Sequence, residues 1–369
     1  MSRFEKLCSS DLLKTFERKS LLRAFPGKKQ FEIDNFADNE NIYGPSPSVM
    51  VSIQNSLTAI SHYPDAEALP LKQKLSEFLA IPEKNIVIGN GAMDLIRQIL
   101  ICAGEPNQNV LLSKGSFIQF KVACEILNFS FKEVDLNNSQ VDLKEIAENI
   151  DKDTRFVFFS NPNNPTGTVV GRQTIKEFLE KVPDETYVII DEAYIEYTDS
   201  YPENSALSFL QDHRNLIVLR SFSKIFGLPG LRIGYALLNS EFASCLNKVL
   251  VPFSVNCIAQ TAALAALEDL PHIEGIREEN FIERRWLFEK LKNLGLQVQP
   301  SQANFLFVGV HPLNEKTVFE VLKDHGVLVK SLTGYGFSNH HRISILDRKR
   351  NEKLIEAYKK ALRQLGFDK

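Results

Sequence analysis

A chain of 369 residues, 44% hydrophobic and 24% charged, has enough apolar material for one large core and a second, smaller one. Its formal net charge of −3 gives no electrostatic reason to expect nucleic acid or an anionic membrane as the main partner, which leaves a small molecule. No stretch approaches the roughly 20 apolar residues that span a bilayer, and the opening MSRFEKLCSSDLLKTFERKS lacks the apolar centre of a signal peptide, so the cytoplasm is the expected location.

In chain order, short β-branched or aromatic runs at 85–88, 109–113, 156–160, 187–190, 216–219 and 233–238 read as buried strands. Helical patterns lie between them at 95–102, 143–149 and 174–181, and this alternation predicts a largely parallel α/β sheet. Beyond about residue 250 the texture changes. Helical stretches at 259–267 and 276–294 lead into an α+β tail with strands at 304–308, 327–329 and 341–345. The expected division is an arm at 1–40 joining a small domain, a large domain at 41–252 and the small domain itself at 253–369, with the crossover at 251–256. The five cysteines, Cys8, Cys102, Cys124, Cys245 and Cys257, are widely spaced with no Cys-x-x-Cys or His/Cys cluster. They read as reduced packing residues, and no metal site is expected.

Ligands of an open parallel sheet bind beyond the carboxyl ends of its strands. Four polar clusters follow predicted strands: GNGAMD (89–94), NPNNPTG (161–167), DEAY (191–194) and SFSK (221–224). Ser221, Ser223, Lys224 and Arg232 combine two hydroxyls, an amine and a guanidinium within a dozen residues. That set suits a phosphorylated aldehyde, because lysine forms a Schiff base with the aldehyde while hydroxyls and arginine hold the phosphate. Alone, Lys224 would more often be a surface lysine beside a glycine turn. Asp191 ends an apolar run, where its carboxylate needs a cationic partner such as a protonated pyridine nitrogen; a metal-binding or capping aspartate is the other reading. The amides of Gly91, Ala92 and Met93 open a predicted helix and suit an anion, although a plain turn fits them too. There is no G-x-G-x-x-G here and no P-loop, which argues against a dinucleotide site.

The order and spacing of these clusters resemble the fold-type I aminotransferases of class I/II that depend on pyridoxal 5′-phosphate, and within them the histidinol-phosphate aminotransferase branch. The resemblance spans residues 39–342 and rests on NENIYGPSP (39–47), HYPD (62–65), GNGAMDLI (89–96), NPNNPTG, DEAY, RSFSKIFGLPGLRIGY (220–235), PSQANFLFV (300–308) and RISI (342–345). It implies a large domain built on a mostly parallel seven-stranded sheet with a smaller α+β domain.

By this resemblance Lys224 would hold the cofactor covalently and shuttle a proton, Asp191 would pair with the pyridinium nitrogen, and Asn164 and Tyr194 would bond the ring hydroxyl oxygen. Ser221, Ser223, Arg232 and the amides of Ala92 and Met93 would bind its phosphate, and Phe117 would stack on the ring. Tyr63 would reach the cofactor phosphate of a neighbouring subunit, implying a homodimer. Arg342 would grip the substrate carboxylate, with Tyr43 and Lys330 as further substrate contacts.

The chain departs from the family pattern at three places. Ala92 and Met93 replace a serine and an acidic residue, Lys330 stands where an arginine is usual, and Leu346-Asp347 replaces the glycine beyond RISI. The expected reaction is transamination between an amino donor, led by L-histidinol phosphate, and a 2-oxo acid, 2-oxoglutarate. An aromatic amino acid aminotransferase is the nearest alternative on the same scaffold, a lyase resembling threonine-phosphate decarboxylase a more remote one, and a non-catalytic sensing module the last.

Overall fold

The computed structural model describes residues 33–105 and 107–367; of the expected arm, residues 1–32 lie outside the described part. In chain order the strands are β1 (Asp34–Phe36), β2 (Ile86–Gly89), β3 (Asn109–Ser113), β4 (Ser130–Val134), β5 (Thr154–Ser160), β6 (Tyr187–Asp191), β7 (Leu216–Ser221), β8 (Gly234–Leu238), β9 (Gln297–Gln299), β10 (Phe305–Gly309), β11 (Val327–Ser331) and β12 (His340–Ser344). They form a seven-stranded sheet in the order β2-β8-β7-β6-β5-β3-β4 and a five-stranded sheet in the order β1-β11-β12-β10-β9.

In the large sheet β3 to β7 run parallel, and β8 is antiparallel to both of its neighbours. The central strands are apolar along their whole length because helices cover both faces. Alternation then sorts their side chains. Val157, Phe159, Val188 and Ile190 join the core on one face, while Phe156, Phe158, Ile189 and Leu219 join the core on the other. The edge strand β4, SFKEV, is mostly exposed and carries no apolar run, so its sequence does not announce it.

The second core gathers around the small sheet, with Phe36, Leu306, Val308, Val329, Ile343 and Tyr358 among its members. The arm contributes through β1, which pairs in parallel with β11. The helix Cys257–Glu268, assigned from sequence to the second unit, packs instead on Pro47–Ser56 and Leu69–Leu79. Its alanines, Ala259, Ala262, Ala263 and Ala266, let those helices approach closely in the first core. The long helix Leu270–Asn293 then crosses over: Ile273 and Ile276 belong to the first core, Leu287 and Leu291 to the second. Among the described residues no helix is long and apolar enough to cross a membrane.

Two register facts place the site. β2 ends at Gly89 opposite Gly234, which also faces Ser221, and Ser160 at the end of β5 faces Asp191 at the end of β6. All four clusters therefore open on one edge of the sheet. From β3 the connections run outward to β4 on one side and, beyond it, to β5, β6 and β7 on the other, so strand order reverses between β3 and β5, where open α/β sheets form their ligand crevice.

Candidate active site

Lys224 follows β7 and is half-buried. Its Nζ donates to the backbone carbonyls of Asp38 at 3.1 Å and Asn39 at 3.3 Å and lies 5.4 Å from the centre of the Tyr194 ring. The NENIYGPSP segment roofs this turn: Asn41 Nδ2 donates to the Ile225 carbonyl at 2.8 Å, and a Cβ on Gly227 would stand 2.5 Å from the Gly44 carbonyl carbon. With φ of +68° as well, Gly227 is held to glycine by conformation and by contact.

Asp191 is buried, and its Oδ1 accepts from the Ala193 amide at 3.0 Å. Burial raises its carboxyl to about 6, against the opposing pull of that amide and of the Lys224 charge. Among the described residues no salt bridge reaches it. A carboxylate so desolvated fits a cationic ring nitrogen, whose charge would restore the ionised form.

The helix Ala92–Ala103 begins without a side-chain cap, so its first N–H groups have no acceptor inside the helix. A Cβ on Gly91, whose φ is +86°, would meet Arg232 Nη2 at 2.7 Å, and one on Gly234 would meet the Ala92 nitrogen at 2.8 Å. Glycines at both positions bring the Arg232 guanidinium and the open helix terminus together beside Ser221 and Ser223, both buried, with the Ser223 amide donating to Ser221 Oγ at 3.0 Å. Amides, hydroxyls and a guanidinium fit a phosphate.

Arg342, on β12, is buried. Its Nη1 donates to Asn164 Oδ1 at 2.7 Å, its Nη2 bonds the Ala37 carbonyl, and its Nε has no hydrogen-bond partner. Lys330 stands directly opposite it on β11, so both side chains leave the same face. Ser116 Oγ and Asn163 Oδ1, 2.8 Å apart, join the Phe117 turn to the NPNNPTG loop, and the Phe337 ring from the small unit occupies the space where a Gly115 Cβ would stand. Phe117 itself is half-buried and meets Phe120 edge-on at 5.8 Å.

Tyr63 does not join this set. It is 82% exposed and stacked on Phe253 at 4.7 Å. Tyr43 is exposed, and its hydroxyl is pushed up to about 12 by partial burial and by Glu279, Glu283 and Asp347. Three further buried residues beside the site carry no role in the sequence reading. Asn39, fully buried, donates from Nδ2 to the Tyr194 hydroxyl at 3.0 Å and from its amide to Ser344 Oγ at 2.9 Å, while its carbonyl accepts from Lys224 and Asn304. Arg220 and Glu192 form a buried ion pair at 3.0 Å directly beside Ser221 and Asp191. Both charges stand in the quoted motifs, and charge at the buried end of a strand is the signal that finds them. The departure beyond RISI also has a local reason: Leu346 fills the second core, and Asp347 caps the helix Arg348–Gln364 by accepting from the Arg350 amide at 3.0 Å.

A profile of the family "aminotransferase class I and II" matches residues 32–357. The chain belongs to the aminotransferase class I and II family. It is an enzyme, a transaminase that depends on pyridoxal phosphate. It is 35% identical to the histidinol-phosphate aminotransferase of Moorella thermoacetica over 332 residues, 90% of this chain and 86% of that relative. It is 36% identical to the enzyme of the same name from Akkermansia muciniphila over 337 residues, 91% and 92% of the two chains. Among solved structures, the histidinol-phosphate aminotransferase from Sinorhizobium meliloti in complex with pyridoxal-5′-phosphate superposes with a TM-score of 0.88 at 26% identity, covering 97% of this chain and 98% of that one.

Proposed function

We propose that this transaminase moves the amino group of L-histidinol phosphate to 2-oxoglutarate, yielding 3-(imidazol-4-yl)-2-oxopropyl phosphate and glutamate. The observation that carries the reading is Arg342. A buried guanidinium with an unpaired Nε, facing Lys330 across two strands, is built for an anion on the substrate. Histidinol phosphate has no carboxylate, so its phosphate takes this place in the first half-reaction, and a carboxylate of 2-oxoglutarate takes it in the second.

Pyridoxal phosphate, when bound, supplies an aldehyde for amine condensation and an electron-withdrawing ring. Lys224 would hold it covalently, and its Nζ, once free, would serve as the base for the proton on the substrate α-carbon and as the acid that returns one. Asp191 keeps the ring nitrogen protonated. Asn164, whose Oδ1 is taken by Arg342, offers its Nδ2 to the ring hydroxyl oxygen, joined by the Tyr194 hydroxyl, which Asn39 orients. Ser221, Ser223, Arg232 and the amides of Ala92 and Met93 hold the phosphate, Phe117 covers the ring, and Tyr43 walls the substrate.

The exposed Tyr63 supports a homodimer in which each chain lends this hydroxyl to its neighbour's phosphate. The β1–β11 pairing supports an arm shared with the small unit, and we place the seam between the units within the helix Leu270–Asn293. The cytoplasm is the proposed location. Single-turnover spectra with L-histidinol phosphate, L-phenylalanine and L-threonine phosphate test the substrate: amino transfer from histidinol phosphate at least on the order of tenfold faster than from phenylalanine supports it. Faster transfer from phenylalanine, or carbon dioxide released from threonine phosphate, would sink it.

A further inference from the structure

Ser160 closes β5 with a hydroxyl that has nothing to bond: the residue is 1% exposed, and its Oγ has no hydrogen-bond partner. A buried polar group left unpaired is destabilising, and one at the edge of a ligand site calls for a partner. The neighbours narrow the choice. Ser160 stands directly opposite Asp191 in the parallel ladder, and the Asn161 amide donates to the Asp191 carbonyl at 2.9 Å, which holds that register at the strand ends. Alternation puts Ser160 on the face of Phe156 and Phe158 and Asp191 on the face of Ile189; all three apolar side chains belong to one core, so hydroxyl and carboxyl leave the sheet side by side. On the other flank β3 ends at Ser113, and Lys114 beyond it is engaged with Asp135 at 2.8 Å. Neighbouring strands lie about 4.8 Å apart, a gap that a serine hydroxyl and a carboxylate bridge by rotation about χ1.

Asp191 has room for the bond. A carboxylate can accept about four hydrogen bonds, and this one accepts only from the Ala193 amide. Burial makes its carboxyl hold a proton more tightly than usual, up to about 6. That works against a group whose task is to leave its proton on a ring nitrogen, because in a buried pair the proton settles where the affinity is higher. A hydroxyl donating to the carboxylate lowers that affinity.

We infer that Ser160 is a positioning residue for the cofactor: its hydroxyl turns to donate to the ionised Asp191 carboxylate and so keeps the proton on the ring nitrogen. The inference rests on the pairing of Asp191 with that nitrogen. A hydrogen bond to a charged group of ordinary strength shifts such a balance by roughly tenfold or more.

The test is nitrogen-15 NMR of the full chain loaded with pyridoxal phosphate labelled at the ring nitrogen, whose signal reports protonation directly. Ser160→Ala should move the signal toward that of an unprotonated ring, and Ser160→Thr, which keeps the hydroxyl, should restore the wild-type position. Ser160→Gly also removes the hydroxyl and replaces the alanine variant if that one does not fold. Asp191→Asn is the reference and should move the signal the same way. A wild-type signal in the folded Ser160→Ala protein, together with a moved one in Asp191→Asn, overturns the role of Ser160 alone. An unmoved signal in Asp191→Asn overturns the pairing and this inference with it. Equal displacement in Ser160→Ala and Ser160→Thr also overturns the inference, since packing rather than the hydroxyl would then account for the change.

Discussion

Replacing Arg342 by lysine keeps the charge and removes the planar fork. In the structure the guanidinium spends Nη1 on Asn164 and Nη2 on the Ala37 carbonyl, which leaves Nε for the substrate. A hydrogen bond to a charged group contributes about 1.5–3 kcal/mol. At 1.4 kcal/mol per factor of ten, losing one such bond lowers affinity by roughly tenfold to 150-fold. On the proposed reading both half-reactions use the same anion site, so kcat/KM for L-histidinol phosphate and for 2-oxoglutarate should fall together, each by at least about tenfold. The assay is single-turnover absorbance with each substrate in turn, with the melting temperature measured alongside to separate a lost arm contact from a lost substrate contact. Unchanged kcat/KM for both substrates in a folded Arg342→Lys protein would refute the assignment of this residue.

Three more outcomes follow from the geometry. Gly91→Ala puts a Cβ 2.7 Å from Arg232 Nη2 at a φ of +86°, so cofactor affinity should drop by roughly tenfold or more, read by equilibrium dialysis; undiminished affinity would remove Arg232 and the helix terminus from the phosphate site. Glu192→Ala leaves the buried Arg220 charge unpaired and should cost about 3–5 kcal/mol in urea unfolding, and a loss below about 1 kcal/mol would show that the pair contributes little. Asp191 has a folded value near 6, above its ordinary value, so the folded apoprotein keeps a proton that the unfolded chain releases. Its contribution to stability therefore falls as pH rises from about 4 to about 6, by roughly 3 kcal/mol in all. Asp191→Asn should accordingly stabilise the apoprotein at pH 8 while weakening cofactor binding, and an apoprotein made less stable at that pH would contradict the desolvation argument.

The central strands of the large sheet were legible because burial on both faces forces an uninterrupted apolar run, as in the LIVL segment of β7. The edge strand β4 and the three-residue β1 and β9 were not, since their pairing is decided by neighbours far along the chain. Placing the helix Cys257–Glu268 in the second unit failed for a related reason: an alanine-rich helix shows no directional stripe, and only its partners say which core it joins. The catalytic edge was readable because strand-end motifs fall in order along one sheet. Asn39 was not, although it stands inside a quoted motif, because its bonds to Tyr194, Ser344, Lys224 and Asn304 exist only once both units close over it. The Arg220–Glu192 pair was hidden in the same way, its two charges meeting only across β6 and β7.

We assign attachment of the cofactor to Lys224. Borohydride reduction of the protein loaded with pyridoxal phosphate, followed by peptide mapping, tests it directly. One modified peptide is expected, bearing the cofactor on Lys224, and none in Lys224→Ala. Modification of a different lysine, or a fully loaded protein that reduces without any labelled peptide, would contradict it.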